Sequence, residues 1–151
     1  MPNLSLNRLH KRWGVFIHII FPLCVGGLIY IGWRDTELRM FRWLKQLNIW
    51  DDIYVWRSWL VGTSTLPSWV KYSVPDATWM WSLTGFFTYL WQDVPAPQKW
   101  IYIWMVVVLG LGTEVAQALG LLSGVFDWMD LGLMSIAAMC SFYFSLAYTK
   151  K

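Results

Sequence analysis

The chain has 151 residues; 57% are hydrophobic, 14% are charged, and the net charge is +3. An ordinary soluble domain is about 25% charged, and disorder requires low hydrophobicity with high net charge, so disorder is excluded. Two cysteines, Cys24 and Cys140, both inside apolar runs, exclude a disulfide scaffold.

The length allows one domain. The basic residues are too few and too scattered to contact nucleic acid. In a membrane protein a modest basic excess marks the cytoplasmic flanks. A membrane span needs about 20 apolar residues, because the hydrocarbon is roughly 30 Å thick and a helix rises 1.5 Å per residue. The first runs from Trp13 to Trp33, uncharged between Arg12 and Arg34 except for what His18 can carry, with a Trp at each end for the headgroup layer. Its basic start (Arg8, Lys11, Arg12) resembles a signal peptide. However, the apolar core is too long and no A-x-A-like cleavage site follows, so it reads as a retained anchor with Pro22 as a kink point.

Residues 34–74 differ from the apolar runs. Within residues 35–47, Leu38, Phe41 and Leu44 share one helical face and Arg39, Arg42 and Lys45 occupy the flank. Asp51 and Asp52 precede a further apolar stretch, Ile53 to Val61. Two readings stay open: amphipathic helices lying in the headgroup plane, or an extramembrane cap packed over the bundle. A second span is expected over 75–91, with Pro75 in its first turn and Asp76 at the positive end of the helix dipole. A third is expected over 99–122 and a fourth over 130–148. The short connections between spans two and three, and three and four, imply antiparallel neighbours.

The expected fold is therefore an all-α integral membrane protein, one domain over 1–151. It has four transmembrane helices, with amphipathic interfacial helices between the first and second. Arg8, Lys11, Arg12, Lys99, Lys150 and Lys151 fall on one side, packed into few positions. Arg34, Arg39, Arg42, Lys45, Arg57 and Lys71 are spread over 34–74. Density places both termini in the cytoplasm of a bacterial inner membrane.

Most catalytic vocabulary is absent from the sequence. There is no phosphate-binding Gly loop, CxxC pair or His-x-x-x-His, so neither a metal nor a cofactor is expected. His10 and His18 are split between the flank and the first span; His18 reads as a hydrogen-bonded side chain inside the bundle. The cysteines read as small apolar filler. One constellation stands out. Glu114 and Gln117 are one turn apart in the third span, and Asp127 and Asp130 one turn apart at the start of the fourth. Glu114 lies about 21 Å along its helix from Trp100. An intramembrane carboxylate costs about 2.5–3.5 kcal/mol even on the lenient insertion scale, so it should face the bundle or a wet cavity with a partner. The simpler reading of the two aspartates is as helix caps. Gly112, Ala116, Gly120 and Gly124 form a small-residue stripe that starts nearly opposite Glu114. Such rows allow close helix approach in lipid, so the third span is expected at the centre of the bundle or at an oligomer interface.

Glu114-Val115-Ala116-Gln117, Phe126-Asp127-Trp128-Met129-Asp130 and Pro75-Asp76 together resemble the pattern of the VanZ-like family of small multi-span membrane proteins, over roughly residues 75–145. That pattern has a Glu-x-x-Gln, an Arg, a Phe-Asp-x-x-Asp and an Asn in the last span. Here Gly124 stands near the position of the Arg, Met134 at that of the Asn, and the usual His of the second span is lacking. The resemblance implies a link to glycopeptide tolerance and envelope lipids, without an established reaction. The departures remove polar groups, so it implies the bundle more directly than an activity.

Three functional readings follow. The first is a non-enzymatic membrane subunit that forms homo-oligomers or docks a cytoplasmic protein and senses or transmits an envelope state, as in bacterial stress or phage defence. The second is a VanZ-like envelope protein that binds or modifies a lipid or glycopeptide headgroup. The third is a small oligomeric channel, for which one carboxylate per chain forms a charged ring only on assembly.

Overall fold

The computed structural model describes residues 13–91, 94 and 97–149. Among them the secondary structure is helical: α1 (Trp13–Trp33), α2 (Arg39–Gln46), α3 (Trp50–Thr63), α4 (Ser68–Leu90), α5 (Gln98–Ala118) and α6 (Trp128–Thr149). Three helices are long and apolar enough to cross a membrane: Trp13–Trp33, Gln98–Ala118 and Trp128–Leu146.

Several expected boundaries move, each for a local reason. Pro75 does not open a helix. Pro67, with extended backbone, precedes the first turn at Ser68, and Pro75 lies inside α4. Pro75 leaves the Lys71 carbonyl without its helical donor, and at the adjoining carbonyl, that of Tyr72, Arg34 Nη2 donates from outside at 3.1 Å. The segment between the first two long helices is therefore 34–67 rather than 34–74. The third long helix stops at Ala118 instead of running on to Leu122. Gly120 takes φ +69°, its N–H donates to Gln117 O at 3.0 Å and that of Leu121 to Ala116 O at 2.8 Å, a Schellman ending. The last helix starts at Trp128 rather than 130, because Asp127 Oδ1 accepts the Met129 N–H at 2.9 Å and caps it.

Side-chain contacts fix the directions of the helices. Along α1, Arg34 meets Asp76 and His18 meets Gly85, so α1 is antiparallel to α4. Met80 packs with Met134 and Ser141 reaches Trp81, so α6 runs parallel to α4. The ends of α1 and α5 and the starts of α4 and α6 therefore share one side of the bundle, which also carries α2 and α3.

The packing centre is α4, which lies along α6 on one side and α1 on the other. Its seam with α6 is made of small polar residues. Ser141 Oγ donates to the Trp81 carbonyl at 2.6 Å, and Ala137, Ser141 and Ser145, one every four residues, are all buried. Gly85 lies so close to α1 that a Cβ there would stand 3.0 Å from the His18 carbonyl and 3.1 Å from Ser141 Oγ. His18 sits in a π-helical turn, Phe16–Ile20, just before Pro22, where proline offers no N–H to the preceding turn. The π-turn and Gly85 thus make one close crossing. The apolar core joins Met80, Val106, Met134 and Ala138, with Phe87, Val107 and Leu111 against it. Much of α5 is bare, with Ile101, Trp104, Val108 and Leu109 all exposed.

The cap is pinned to α1. Arg57 of α3 donates to the Ile31 carbonyl at 2.8 Å and to that of Arg34, satisfying two of the open carbonyls at the end of α1. Burial pulls the Arg57 guanidinium below its ordinary range, and Asp35 pulls it back up. Phe41, fully buried, stands edge-on to Trp50 and lies under Arg57. Asn48 turns the chain between α2 and α3 at φ +56°, a conformation its short polar side chain tolerates.

Candidate functional site at the cap side

Four helices deliver polar side chains to the side of the bundle that carries the cap. Arg34 comes from the end of α1, Asp76 from α4, Glu114 from α5, and Asp127 and Asp130 from the start of α6. Glu114 is 7% exposed. Its carboxyl lies in the field of the Asp130, Asp76 and Asp127 carboxylates, and the Asp127 amide donates toward it. Asp76 in turn feels Arg34 and Asp130. The site is graded: Glu114 is buried, Asp76 and Asp130 are half-buried, and Asp127 is exposed.

The cation is Arg34. Its Nη2 lies 3.4 Å from Asp76 Oδ2, and its guanidinium stands 4.8 Å from the Tyr72 ring centroid and 5.2 Å from that of Tyr30. Such stacking suits a planar, weakly hydrated guanidinium. Sequence reasoning counted Arg34 only as a basic flank. The available signal was a cation directly after one span facing an acid at the start of the next.

The charges do not balance, because one guanidinium faces four carboxyl groups. Glu114 Oε2 and Asp130 Oδ1 are buried and make no hydrogen bond. Unpartnered buried acceptors are costly. The arrangement can therefore accept hydrogen bonds from a donor-rich or cationic group entering past Asp127. Among the described residues, no group of three His, Cys, Asp or Glu side chains is arranged to hold a metal ion.

Gln117 packs on the α5–α6 turn. Its side-chain amide covers Gly124, where a Cβ would come within 2.6 Å of Gln117 Cδ and where φ is +154°. Gly124 and Gly120 thus serve the α5–α6 turn. A Cβ on Gly112 would meet nothing within 4 Å, and the carbonyl of Ala116 closes the Schellman ending. Within one chain the stripe packs against no other helix at Gly112. His18 is buried, with its ring stacked near Trp81 and Phe144 at 6.2 and 6.1 Å between centroids. Cys24 and Cys140 are free thiols. His10 and the terminal basic residues Arg8, Lys11, Arg12, Lys150 and Lys151, on which the orientation rests, lie outside the described residues. Compared with models of protein families, with curated proteins and with solved structures, the chain has no significant match.

Proposed function

We propose that the chain is a four-span protein of the bacterial inner membrane that binds, without chemical conversion, the polar headgroup of an envelope lipid or glycopeptide through hydrogen-bond donors such as an ammonium. The observation that carries this is the pair of buried, unpartnered oxygens, Glu114 Oε2 and Asp130 Oδ1, in a cluster whose fourth carboxylate, Asp127, is exposed. In this reading α4 is the fourth span. Its 23 residues extend about 34 Å, and its charges, Lys71 and Asp76, lie toward the cap end. The VanZ-like resemblance points to the same residues, and Arg34 supplies a guanidinium although Gly124 stands near the position of the family's Arg. The partner-docking reading leaned on the small-residue stripe, and two of that stripe's four members are committed to a turn.

The test is lipid retention by the detergent-purified protein, read by mass spectrometry for the parent, Glu114→Gln and Asp130→Asn. The parent should retain lipid with an amine-bearing headgroup, such as phosphatidylethanolamine, over phosphatidylglycerol. Each variant should lose about tenfold of that preference, the effect of one charge-assisted hydrogen bond. Equal retention by parent and both variants would reject the reading.

A further inference from the structure

The cap carries a second polar surface, on α2, separate from the acidic site. At 100° per residue, Arg39, Trp43 and Gln46 fall on the face opposite the buried Phe41, with Arg42 and Leu47 flanking them. All five are exposed, Trp43 by 57% and Leu47 by 68%. The guanidiniums of Arg39 and Arg42 make no ion pair or hydrogen bond among the described residues. Lys45 is used differently: it projects on the Phe41 side, and its ammonium stands 5.2 Å from the Trp50 ring centroid. No acid lies within α2. The nearby acids are Asp35, which accepts the Glu37 N–H, Glu37 itself, and Asp51 and Asp52 in the first turn of α3. The helix thus shows two unpaired guanidiniums around an exposed indole and a leucine, on a segment pinned through Phe41 and Arg57.

Position identifies the occupant. Residues 34–38 join α2 to the end of α1, a reach of at most about 18 Å, and Arg57 ties the cap to the last carbonyls of α1. If α1 crosses the membrane, the α2 face is held within reach of the headgroup layer. There, arginines attract anionic phosphate while Trp and Leu enter the acyl boundary. We propose that Arg39, Arg42 and Trp43 form a docking face for anionic phospholipid in the leaflet where α1 ends. This rests on the membrane reading above but not on the acidic headgroup site.

The experiment compares amide hydrogen exchange of residues 39–47 in the full chain reconstituted in vesicles of phosphatidylcholine alone, or of phosphatidylcholine with phosphatidylglycerol. Exchange should be roughly 25-fold slower with the anionic lipid, since each of the two arginines at such a surface contributes on the order of fivefold. Salt should erode the difference. Arg39→Gln with Arg42→Gln should abolish it, while the paired Lys variants and Lys45→Gln should retain it. Equal exchange in both compositions would overturn the proposal. So would a Gln pair that alters exchange equally in both, which points to a second copy or another protein on this face. Failure of the chain to enter either vesicle would instead reject the membrane reading beneath it.

Discussion

Arg34 joins three parts of the molecule. It pairs with Asp76, fills a carbonyl beside the Pro75 interruption and stacks near two tyrosines. A lysine keeps the charge but not the planar fork. Arg34→Lys should therefore lower detergent stability, by about 1–2 kcal/mol, and Arg34→Gln by about 3 kcal/mol, because it strands Asp76 among carboxylates. Thermal unfolding of the purified variants checks the order. If Arg34→Lys melts like the parent, the fork geometry is unimportant. Glu114 is the complementary case. Its buried carboxyl already lacks a partner on one oxygen, so Glu114→Gln should leave the melting temperature unchanged or raise it while weakening headgroup retention. A large fall in stability together with unchanged retention would make Glu114 a structural group.

At the scale of elements, small residues have two distinct uses. The row Ala137, Ser141 and Ser145 on α6 meets α4 at close range, whereas Gly120 and Gly124 shape a turn. Gly112→Leu should be neutral within about 0.5 kcal/mol in a single chain, as for an open surface position. Gly120→Leu should cost about 1–2 kcal/mol through its left-handed backbone. Gly85→Leu should be the most damaging, because it drives α4 from both α1 and Ser141. Relative yields and melting temperatures of the three variants test this order. If Gly112→Leu alone disrupts assembly, the stripe is an oligomer contact after all.

These elements also show how far the sequence could be read. Apolar length located α1, α5 and α6 within a few residues. Glu114, Asp127 and Asp130 stood out because a carboxylate is expensive in hydrocarbon. Two members of the α5 stripe, Gly120 and Gly124, serve a turn, and spacing alone does not separate a packing row from a Schellman glycine. The α6 row has the same four-residue period but is less conspicuous, since serine and alanine lack glycine's special signature. Pro75 misled because an interior proline is tolerated where other elements pack and bond around the weakened turn, and the contact made there, Arg34 to the Tyr72 carbonyl, spans 38 residues of sequence.

At the scale of the molecule, the number of crossings decides whether the site can work as proposed. α4 is the most enclosed of the long helices and the least apolar, carrying Ser73, Ser82, Thr84 and Thr88 buried against its neighbours. A helix shielded by three others needs less apolar surface of its own, which is how a span can lie outside the reach of composition. If α4 crosses, the loop at 64–67 and the α5–α6 turn face the same compartment, and the acidic site opens between them. If it does not, they face opposite compartments and the site as a headgroup receptor fails.

Thiol accessibility in intact cells tests this most directly. In a Cys24→Ser, Cys140→Ser background, single cysteines replace Thr65, Gln98 or Ser123, all exposed positions, and a membrane-impermeant maleimide is applied from outside. Four crossings predict that the cysteines at 65 and 123 label alike and the one at 98 oppositely. Labelling of 65 together with 98, with 123 opposite, would mean that α4 does not cross and would contradict the account.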